Sequence, residues 1–331
     1  MPYLSCKKIE NDVYNFPTWQ YCKYKDIFDS RIIINSTAKF YISISYQKDL
    51  LSIDTRIFTP SRATIQLIFF LLVPSAFTAA FSGVKYLFTQ IGKGDAIGMT
   101  SFVTALCVLC LYTILFGRFF CGFACAFGSF GDALHGIYLW ICKKIRKKPY
   151  RISEKITKYL YLLKYIVLAM ISLLCYAGVY AKTKGTSPWE VFSMIRAGNF
   201  KLGGYAIGIV LLTILMIGMC VQERFFCRFF CPMGAVFSLL PALPFLTLAR
   251  DRENCIKGCR ACTKNCPAEL GLPKSGLIET PGECFQCQKC VDICPKGNIH
   301  TRVPKLRGNE VWFTVFRALL LLGVLYLFHL A

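Results

Sequence analysis

The chain has 331 residues, of which 55% are hydrophobic and only 17% are charged, and its formal net charge is +21. A soluble globular chain averages about 45–50% apolar and about 25% charged residues. This composition argues against an ordinary soluble domain. Because the Lys and Arg residues flank long apolar segments, we attribute the positive charge to a membrane surface and expect no nucleic-acid partner.

Residues 1–61 are polar and mixed, and they form the first predicted segment. The stretch KFYISISY (residues 39–46) alternates apolar and polar residues, which predicts a strand. The chain starts without an apolar run and a small-residue cleavage site, so we expect no signal peptide. We assign this segment to the cytoplasm and give it no function.

Five apolar segments are predicted to cross a lipid bilayer, since a span needs about 20 residues. Helices of soluble proteins rarely stay apolar on all faces over such a length. The predicted spans are Thr64–Val84, Ile97–Phe116, Tyr159–Tyr180, Tyr205–Val221 and Val311–Leu330.

Lys and Arg residues collect in the connections after the second and fourth spans. The basic connections of a membrane protein face the cytoplasm. We therefore predict a multi-pass protein of the cytoplasmic membrane, with its N-terminus inside and its C-terminus outside. The basic residues after the second span are Lys143, Lys144, Arg146, Lys147, Lys148 and Arg151.

One phrase occurs twice, each time after an apolar span. The copies read Arg118-Phe-Phe-Cys121-Gly-Phe-Ala-Cys125-Ala-Phe-Gly128 and Arg224-Phe-Phe-Cys227-Arg-Phe-Phe-Cys231-Pro-Met-Gly234. Each copy is followed by an apolar stretch too short or too broken to cross, which we predict to lie at the membrane interface. The pattern indicates an internal duplication whose halves are related by an axis along the membrane normal.

The spacing of the paired cysteines predicts a shared site. Residues four apart lie on one face of a helix, so two pairs related by the axis would present four thiols to one point. Four thiolates suit an iron–sulfur cluster, Cu(I) or zinc, although cysteine also serves in membrane helices as a small apolar residue. The predicted ligands are Cys121, Cys125, Cys227 and Cys231.

Two details of the repeated phrase leave alternatives open. Arg118 and Arg224 would offset the negative charge of the thiolates, or would anchor the chain at lipid headgroups. Ala126 follows the second cysteine of the first copy, where the second copy has Pro232. We therefore expect the first copy to bend less sharply at this point.

Eight further cysteines form two ordered runs. These are Cys255-x3-Cys259-x2-Cys262-x3-Cys266-Pro267 and Cys284-x2-Cys287-x2-Cys290-x3-Cys294-Pro295. The second run matches the bacterial ferredoxin pattern, and the first contains one extra residue, Gly258, as a tolerated insertion. Three close thiolates hold one [4Fe–4S] cluster and the fourth ligand comes from the other run. The triplets fit zinc poorly, and a cytoplasmic segment disfavours disulfides.

This rule gives two ligand sets. We call the site of Cys255, Cys259, Cys262 and Cys294 the cluster 1 site. We call the site of Cys284, Cys287, Cys290 and Cys266 the cluster 2 site.

The ferredoxin-like runs behind paired membrane motifs resemble the membrane polyferredoxins of the NapH, NosR and CcoG type. The stretch GECFQCQKCVDICP and the motif CRFFCP carry most of the resemblance, which covers roughly residues 62–305. The family includes membrane subunits of periplasmic nitrate reduction, a maintenance protein of nitrous-oxide reductase and a cytochrome-oxidase assembly protein. The family has proline where this chain has Ala126.

The chain lacks the residues that haem and nucleotide cofactors require. The chain has three histidines and no axial pair on spanning helices, so we expect no haem b, and without C-x-x-C-H there is no covalent haem. There is no G-x-G-x-x-G or Walker motif, so no nucleotide site is predicted.

The predicted fold is mainly α: a polytopic membrane protein of about five transmembrane helices in two tandem hairpin repeats, with an inserted cytoplasmic α+β ferredoxin-like module. The predicted segments are 1–61, an N-terminal cytoplasmic segment; 62–141, the first hairpin with its interfacial segment; 142–249, a basic connection and the second hairpin; 250–305, the 2[4Fe–4S] module; and 306–331, the last transmembrane helix.

Three functions remain open from the sequence. The first is an electron-transfer subunit of an oxidoreductase system, rather than a standalone enzyme. It would pass electrons between a cytoplasmic donor or the quinone pool and a membrane or outward-facing redox partner, such as a flavoprotein. The second, implied by the resemblance to the oxidase-assembly protein, is a copper-reducing assembly factor. The third is a redox-sensing regulator.

Overall fold

The computed structural model describes most of the chain after residue 60 and three short strands before it. The described residues are 4–8, 20–24, 31–34, 61–150, 152, 154–180, 185–200, 203–241, 243, 246–250, 255–256, 258–270, 282–301 and 310–328. The chain divides into two compact units, Met1–Ile57 and Phe58–Ala331. The strand predicted at residues 39–46 lies outside the described residues.

The N-terminal unit contains an antiparallel sheet of three strands in the order β1-β2-β3. Strand β1 spans Leu4–Lys8, β2 spans Gln20–Tyr24 and β3 spans Arg31–Ile34. The register pairs Leu4 with Tyr24 and continues to Gln20 opposite Ile34.

The second unit is mostly helical. Its helices before the ferredoxin-like segment are α1 (Ser61–Leu72), α2 (Ala76–Lys93), α3 (Ser101–Phe116), α4 (Ala126–Lys144), α5 (Glu154–Leu160), α6 (Leu163–Tyr176), α7 (Pro188–Arg196), α8 (Ala206–Val221), α9 (Phe225–Phe229) and α10 (Pro232–Leu239). A π-helical turn, Phe120–Ala124, lies between α3 and α4. The last helix is α13 (Glu310–Leu327).

The segment predicted as one span over Thr64–Val84 is instead two helices. Helices α1 and α2 meet at a bend of 61° in the break that contains Pro74. Proline lacks the N–H that continues a helix, and its ring clashes with the preceding turn. The predicted segment is therefore not one continuous helix, and its crossing of the bilayer stays a prediction.

Only part of the predicted set of spans is supported by helix length. Among the described residues, α13 is long and apolar enough to cross a bilayer, and the bent pair of α1 and α2 makes a second crossing if it counts as one span. Three further apolar helices, α3, α6 and α8, have 14 to 16 residues. The predicted segment Tyr159–Tyr180 is also broken, between α5 and α6. The count of five crossings stays a prediction.

An aromatic core joins the two copies of the repeat. Helix α2 packs against α3 and α6, while α4 packs against α8. Phe226 of the second motif contacts the ring of Phe127 at a centroid distance of 4.4 Å, and Trp189 lies 5.1 Å from Phe81. All four rings are buried, so their burial holds the copies together through the hydrophobic effect.

The ferredoxin-like segment has a small α+β structure. Strands β4 (Leu248–Arg250) and β5 (Ile299–Thr301) pair antiparallel, with the short helices α11 (Ala261–Lys264) and α12 (Lys289–Ile293) between them. Glu310 at the start of α13 accepts hydrogen bonds from the backbone N–H and the hydroxyl of Thr301. This buried contact connects the segment to the last helix.

Candidate metal centres

The four cysteines of the repeated phrase occupy equivalent places in the two copies. Cys121 lies in the π-helical turn and Cys227 lies in α9, while Cys125 and Cys231 are the residues immediately before α4 and α10. All four side chains are buried, with 4–6% of their surface exposed.

The four thiols lie close together, and we call this group the four-cysteine site. Every pair among the four sulfurs is near enough to interact electrostatically. Burial raises the pKa of the Cys227 thiol to about 11, and it also raises the pKa of the Cys125 and Cys231 thiols above their ordinary value. Without a cation to stabilise the thiolates, these side chains would be neutral.

The second cysteine of each copy is stabilised in the same way. The backbone N–H of Gly234 donates to the sulfur of Cys231 at 3.2 Å, and the N–H of Gly128 donates to Cys125. Free N–H groups and the helix dipole at a helix N-terminus favour negative charge. Two thiols of the site therefore have donors that stabilise their charged form.

The local geometry differs from the sequence prediction in two respects. The cysteines of a pair do not lie on one continuous helix, because the backbone is extended at Cys125 and Cys231, which separate two helical segments. The bend is also the same in both copies: ψ is 117° at Cys125 and 114° at Cys231. The expectation that Ala126 makes the first copy bend less sharply is wrong, because Cys125 adopts the pre-helical conformation without a proline.

Arg224 of the second copy reaches across to the first copy. It is 1% exposed, and its Nη2 donates to the carbonyl oxygen of Gly122 at 2.8 Å. The same side chain pairs with Asp132 on α4 through two hydrogen bonds, Nε to Oδ1 at 2.8 Å and Nη2 to Oδ2 at 2.5 Å. Its φ of 58° is a left-handed conformation that is uncommon for a residue with a side chain.

Arg118 of the first copy lies close to the second copy. Its guanidinium interacts with the sulfurs of Cys121 and Cys231, and its Nη1 donates to Glu283 at 3.1 Å. A Cβ at Gly234 would lie 3.0 Å from its Nη2, so this glycine leaves room for the guanidinium. Among the described residues, its Nε and Nη2 are buried without a hydrogen-bond partner.

Both arginines are therefore buried beside the thiols, and neither extends to the surface as a headgroup anchor would. Two guanidinium charges oppose the negative charge that four thiolates would carry. A buried charge without such a partner costs several kcal/mol. The donor set fits a thiolate-bound metal centre.

The predicted ligands of the cluster 2 site line one pocket. Cys266, Cys284, Cys287 and Cys290 surround it together with Cys262 of the neighbouring set. Cys287 is buried and the other three predicted ligands are half-buried. Burial raises the pKa of Cys284 to about 12, while a hydrogen bond from the N–H of Gln286 lowers it.

The predicted ligands of the cluster 1 site line a second pocket. Its wall contains all four of these cysteines with Arg250 and Asn298. Arg250 Nη1 lies 3.1 Å from the sulfur of Cys262, and the backbone N–H of Asn298 lies 3.3 Å from the sulfur of Cys294. Hydrogen bonds from N–H groups to cysteine sulfur are one of the means by which proteins tune iron–sulfur centres.

The thiols line pockets and do not close around a single ion. Within the part of the chain that the structure describes, no three His, Cys, Asp or Glu side chains converge on one metal-ion position. Both pockets nevertheless bring together thiols from two runs that are separated in the sequence. Four thiols around a common space are the donor set that a [4Fe–4S] cluster uses.

The acidic partners of the motif arginines are not evident from the sequence. Asp132 and Glu283 are surrounded by cations, and Lys164 on the apolar helix α6 is fully buried and pairs with Glu283 at 2.5 Å. A signal was present, since an ionisable residue inside an apolar segment is costly and usually functional. The sequence alone does not reveal which charges pair.

The chain is similar to known iron–sulfur proteins. A family model described as a 4Fe-4S binding domain matches residues 98–149 and 204–244, the two segments that contain the repeated phrase. Matches of one model to both segments support the internal duplication. No solved structure matches the chain significantly.

Curated relatives agree with this class. An uncharacterised protein of Methanocaldococcus jannaschii is 28% identical over 62% of this chain and 71% of its own length. The ferredoxin-type protein NapH of Escherichia coli is 24% identical over 62% of this chain and 69% of its own length. The methylamine utilization ferredoxin-type protein MauN of Paracoccus denitrificans is 28% identical over 53% and 56%.

The sites and the matches define an iron–sulfur protein of the ferredoxin type. The chain is similar to polyferredoxins of the NapH/NosR type, and these matches confirm the resemblance seen in the sequence.

Proposed function

We propose that this chain is a membrane-bound electron-transfer protein with two [4Fe–4S] clusters in its ferredoxin-like module and a third, thiolate-bound redox centre at the four-cysteine site. The observation that carries the proposal is the agreement between the predicted ligand sets and the lining of the two pockets. The match of a 4Fe-4S binding family to both copies of the phrase supports an iron–sulfur centre at the third site.

The cysteines, glycine N–H groups and arginines of these sites have different roles in binding the clusters. The clusters supply one-electron chemistry when they are bound. The cysteines hold them, and the N–H groups of Gly128 and Gly234 stabilise the thiolates of the four-cysteine site. Arg118 and Arg224 offset the negative charge, and the surrounding aromatic core excludes water.

We propose that the chain is a multi-pass protein of the cytoplasmic membrane, with the four-cysteine site and the ferredoxin-like module at the cytoplasmic face. Helix α13 is 18 residues long and apolar, which suits a crossing of the bilayer. On α4, Ile137 and Trp140 are more than half exposed, and Leu139 and Ile141 are exposed beside them. A helix with this apolar surface fits the membrane interface. We keep the orientation predicted from the basic connections, with the ferredoxin-like module inside.

The redox partner is proposed to be an acidic protein, because the surface beside the cluster 1 site is basic. Arg260 and Lys264 are exposed next to Cys262 in the sequence, so a basic surface borders the cluster 1 site. Such a surface attracts an acidic redox protein and speeds its association. Electrons then pass between this partner and a quinone or a membrane redox protein.

The test is the cofactor content of the anaerobically purified protein. We expect about 12 iron atoms with matching sulfide if all three sites hold a [4Fe–4S] cluster, and about 8 after Cys121→Ser with Cys227→Ser. Cys142→Ser is the control, because Cys142 on α4 belongs to none of the three sites. An unchanged iron content in the double variant refutes the third centre, and Cu(I) or zinc in place of iron refutes its iron–sulfur nature.

A further inference from the structure

Residues 283–288, which we call the docking segment, lie directly against the four-cysteine site. The segment carries Cys284 and Cys287, two predicted ligands of the cluster 2 site. A Cβ placed at Gly122 would lie 2.4 Å from the carbonyl oxygen of Phe285 and 3.6 Å from the Cα of Cys287. The backbone next to Cys121 therefore touches the backbone between the two ligands of the other site.

Phe285 lies between the two motif arginines. The guanidinium carbon of Arg118 is 4.7 Å from the centre of its ring, and that of Arg224 is 5.8 Å away. The ring is 3% exposed. Cation–π contacts of this kind are stronger when they are shielded from water. Each arginine thus contacts the docking segment as well as the four-cysteine site.

The docking segment is held at both ends by polar contacts, which are partly buried at Glu283 and buried at Gln288. Glu283 accepts hydrogen bonds from Arg118, Lys164 and the hydroxyl of Tyr165. At the other end, the hydroxyl of Thr314 on α13 donates to the Oε1 of Gln288 at 2.7 Å. These contacts fix the distance between the two sites.

Each of the two motif arginines interacts electrostatically with cysteines of both sites. Arg118 interacts with Cys121 and Cys231 of the four-cysteine site, and also with Cys284 of the cluster 2 site. Arg224 interacts with Cys227 on one side and Cys287 on the other. In a medium of low dielectric constant, a charge gained at one site changes the electrostatic potential at the other.

We propose that the cluster 2 site and the four-cysteine site are electrostatically coupled and exchange electrons directly across the docking segment. The cluster 1 site is then the centre that exchanges electrons with the partner protein. This inference rests on the proposed function. With both centres bound by these cysteines, one electron would pass from the reduced to the oxidised centre, and no bond would form or break and no proton would move. Glu283 is a positioning residue, since it holds Arg118 between both sites.

The first test is a redox titration followed by EPR on the purified protein. Glu283→Gln removes one negative charge beside both sites, so we expect both reduction potentials to shift in the positive direction. Glu269→Gln is the matched control, because Glu269 pairs with Arg228, which interacts with Cys266 of the cluster 2 site. In this control only the cluster 2 potential should shift. A shift at one centre alone in Glu283→Gln overturns the inference.

A second test uses a steric wedge and does not depend on Glu283. Gly122→Ala would displace the docking segment, whereas Gly136→Ala on α4 meets no atom within 4 Å. We expect splitting of the EPR lines from spin coupling between the two centres in the native protein. It should persist in Gly136→Ala and weaken in Gly122→Ala with an unchanged iron content. Splitting that is unchanged in Gly122→Ala overturns the inference.

The two proposals fail in different ways. If Cys121→Ser with Cys227→Ser leaves the iron content unchanged, the third centre is absent and the proposed function fails. If the iron content falls but the native protein shows no splitting that is lost in this double variant, the third centre exists and only the direct coupling is refuted.

Discussion

Arg224 and Asp132 form a buried ion pair between the two copies of the repeat, although 92 residues separate them. The pair is bidentate, with distances of 2.8 and 2.5 Å, and the aspartate also accepts a hydrogen bond from Arg62 at 2.8 Å. A fork-to-fork arrangement of this kind fixes orientation as well as charge. It holds the arginine beside the four-cysteine site.

Asp132→Asn should destabilise the protein strongly. The substitution leaves the guanidiniums of Arg224 and Arg62 buried without their carboxylate, which costs about 3–5 kcal/mol. The measurement is the thermal unfolding of the detergent-purified protein. Asp95→Asn is the control, since Asp95 is exposed and the substitution there should change the melting temperature little. Equal melting temperatures for the two variants would contradict the assignment.

The same pair predicts a dependence of stability on pH. Burial alone raises the pKa of Asp132, but Arg224 and Arg62 outweigh this effect and lower the pKa from 3.8 to about 2. The carboxylate therefore contributes its full stabilisation above about pH 4 and loses it as the pH falls towards 2. We expect the difference in melting temperature between the native protein and Asp132→Asn to be constant from about pH 5 to 7. It should narrow below about pH 4, and a difference that widens there would have the wrong sign.

Each cysteine run is predicted to supply the fourth ligand of the other run's cluster, and single substitutions test this. Cys266→Ser in the first run and Cys290→Ser in the second should weaken the same EPR signal, because both residues line the cluster 2 pocket. Cys259→Ser and Cys294→Ser should both weaken the other signal. Each substitution should lower the iron content by up to about four atoms. If Cys266→Ser instead weakens the same EPR signal as Cys259→Ser, each run supplies all four ligands of its own cluster and the prediction is wrong.

Ala126→Pro should be tolerated. Cys125 already has the extended ψ of 117° that a residue before proline prefers, and Ala126 is the first residue of α4. Reducing the freedom of the unfolded chain should stabilise the protein by about 0.4–1 kcal/mol. Ser129→Pro is the control, since it removes the hydrogen bond from the Ser129 N–H to the Cys125 carbonyl. The measurement is thermal unfolding together with iron content, and loss of iron in Ala126→Pro would contradict the equivalence of the two copies.

Several features could be predicted from residue order because they depend on short stretches of chain. The cysteine spacings indicate the cluster ligands, and the repeated phrase indicates the duplication. The limits of α8 and α13 also agree with the predicted apolar segments. The break at Pro74 was missed, because the apolar composition continues through it. Composition alone does not report where the backbone bends.

The roles of Arg118 and Arg224 show where residue order stops being informative. A cation next to a membrane span suits a lipid headgroup as well as a buried thiolate. The structure decides between them through burial and through acidic partners far away in the chain, with Glu283 located 165 residues from Arg118. Such pairings depend on how the helices pack.

The sequence by itself indicated iron–sulfur chemistry, because metal affinity depends on residue type and local spacing. It gave the candidate thiol donors, the two copies of the motif and the apolar segments. Only the tertiary structure decided that four thiols from two copies lie close together, that each arginine lies beside both sites, and that the docking segment touches the four-cysteine site. These relations are contacts between distant parts of the chain, and they arise from the packing of a shared core around buried charges that must be paired.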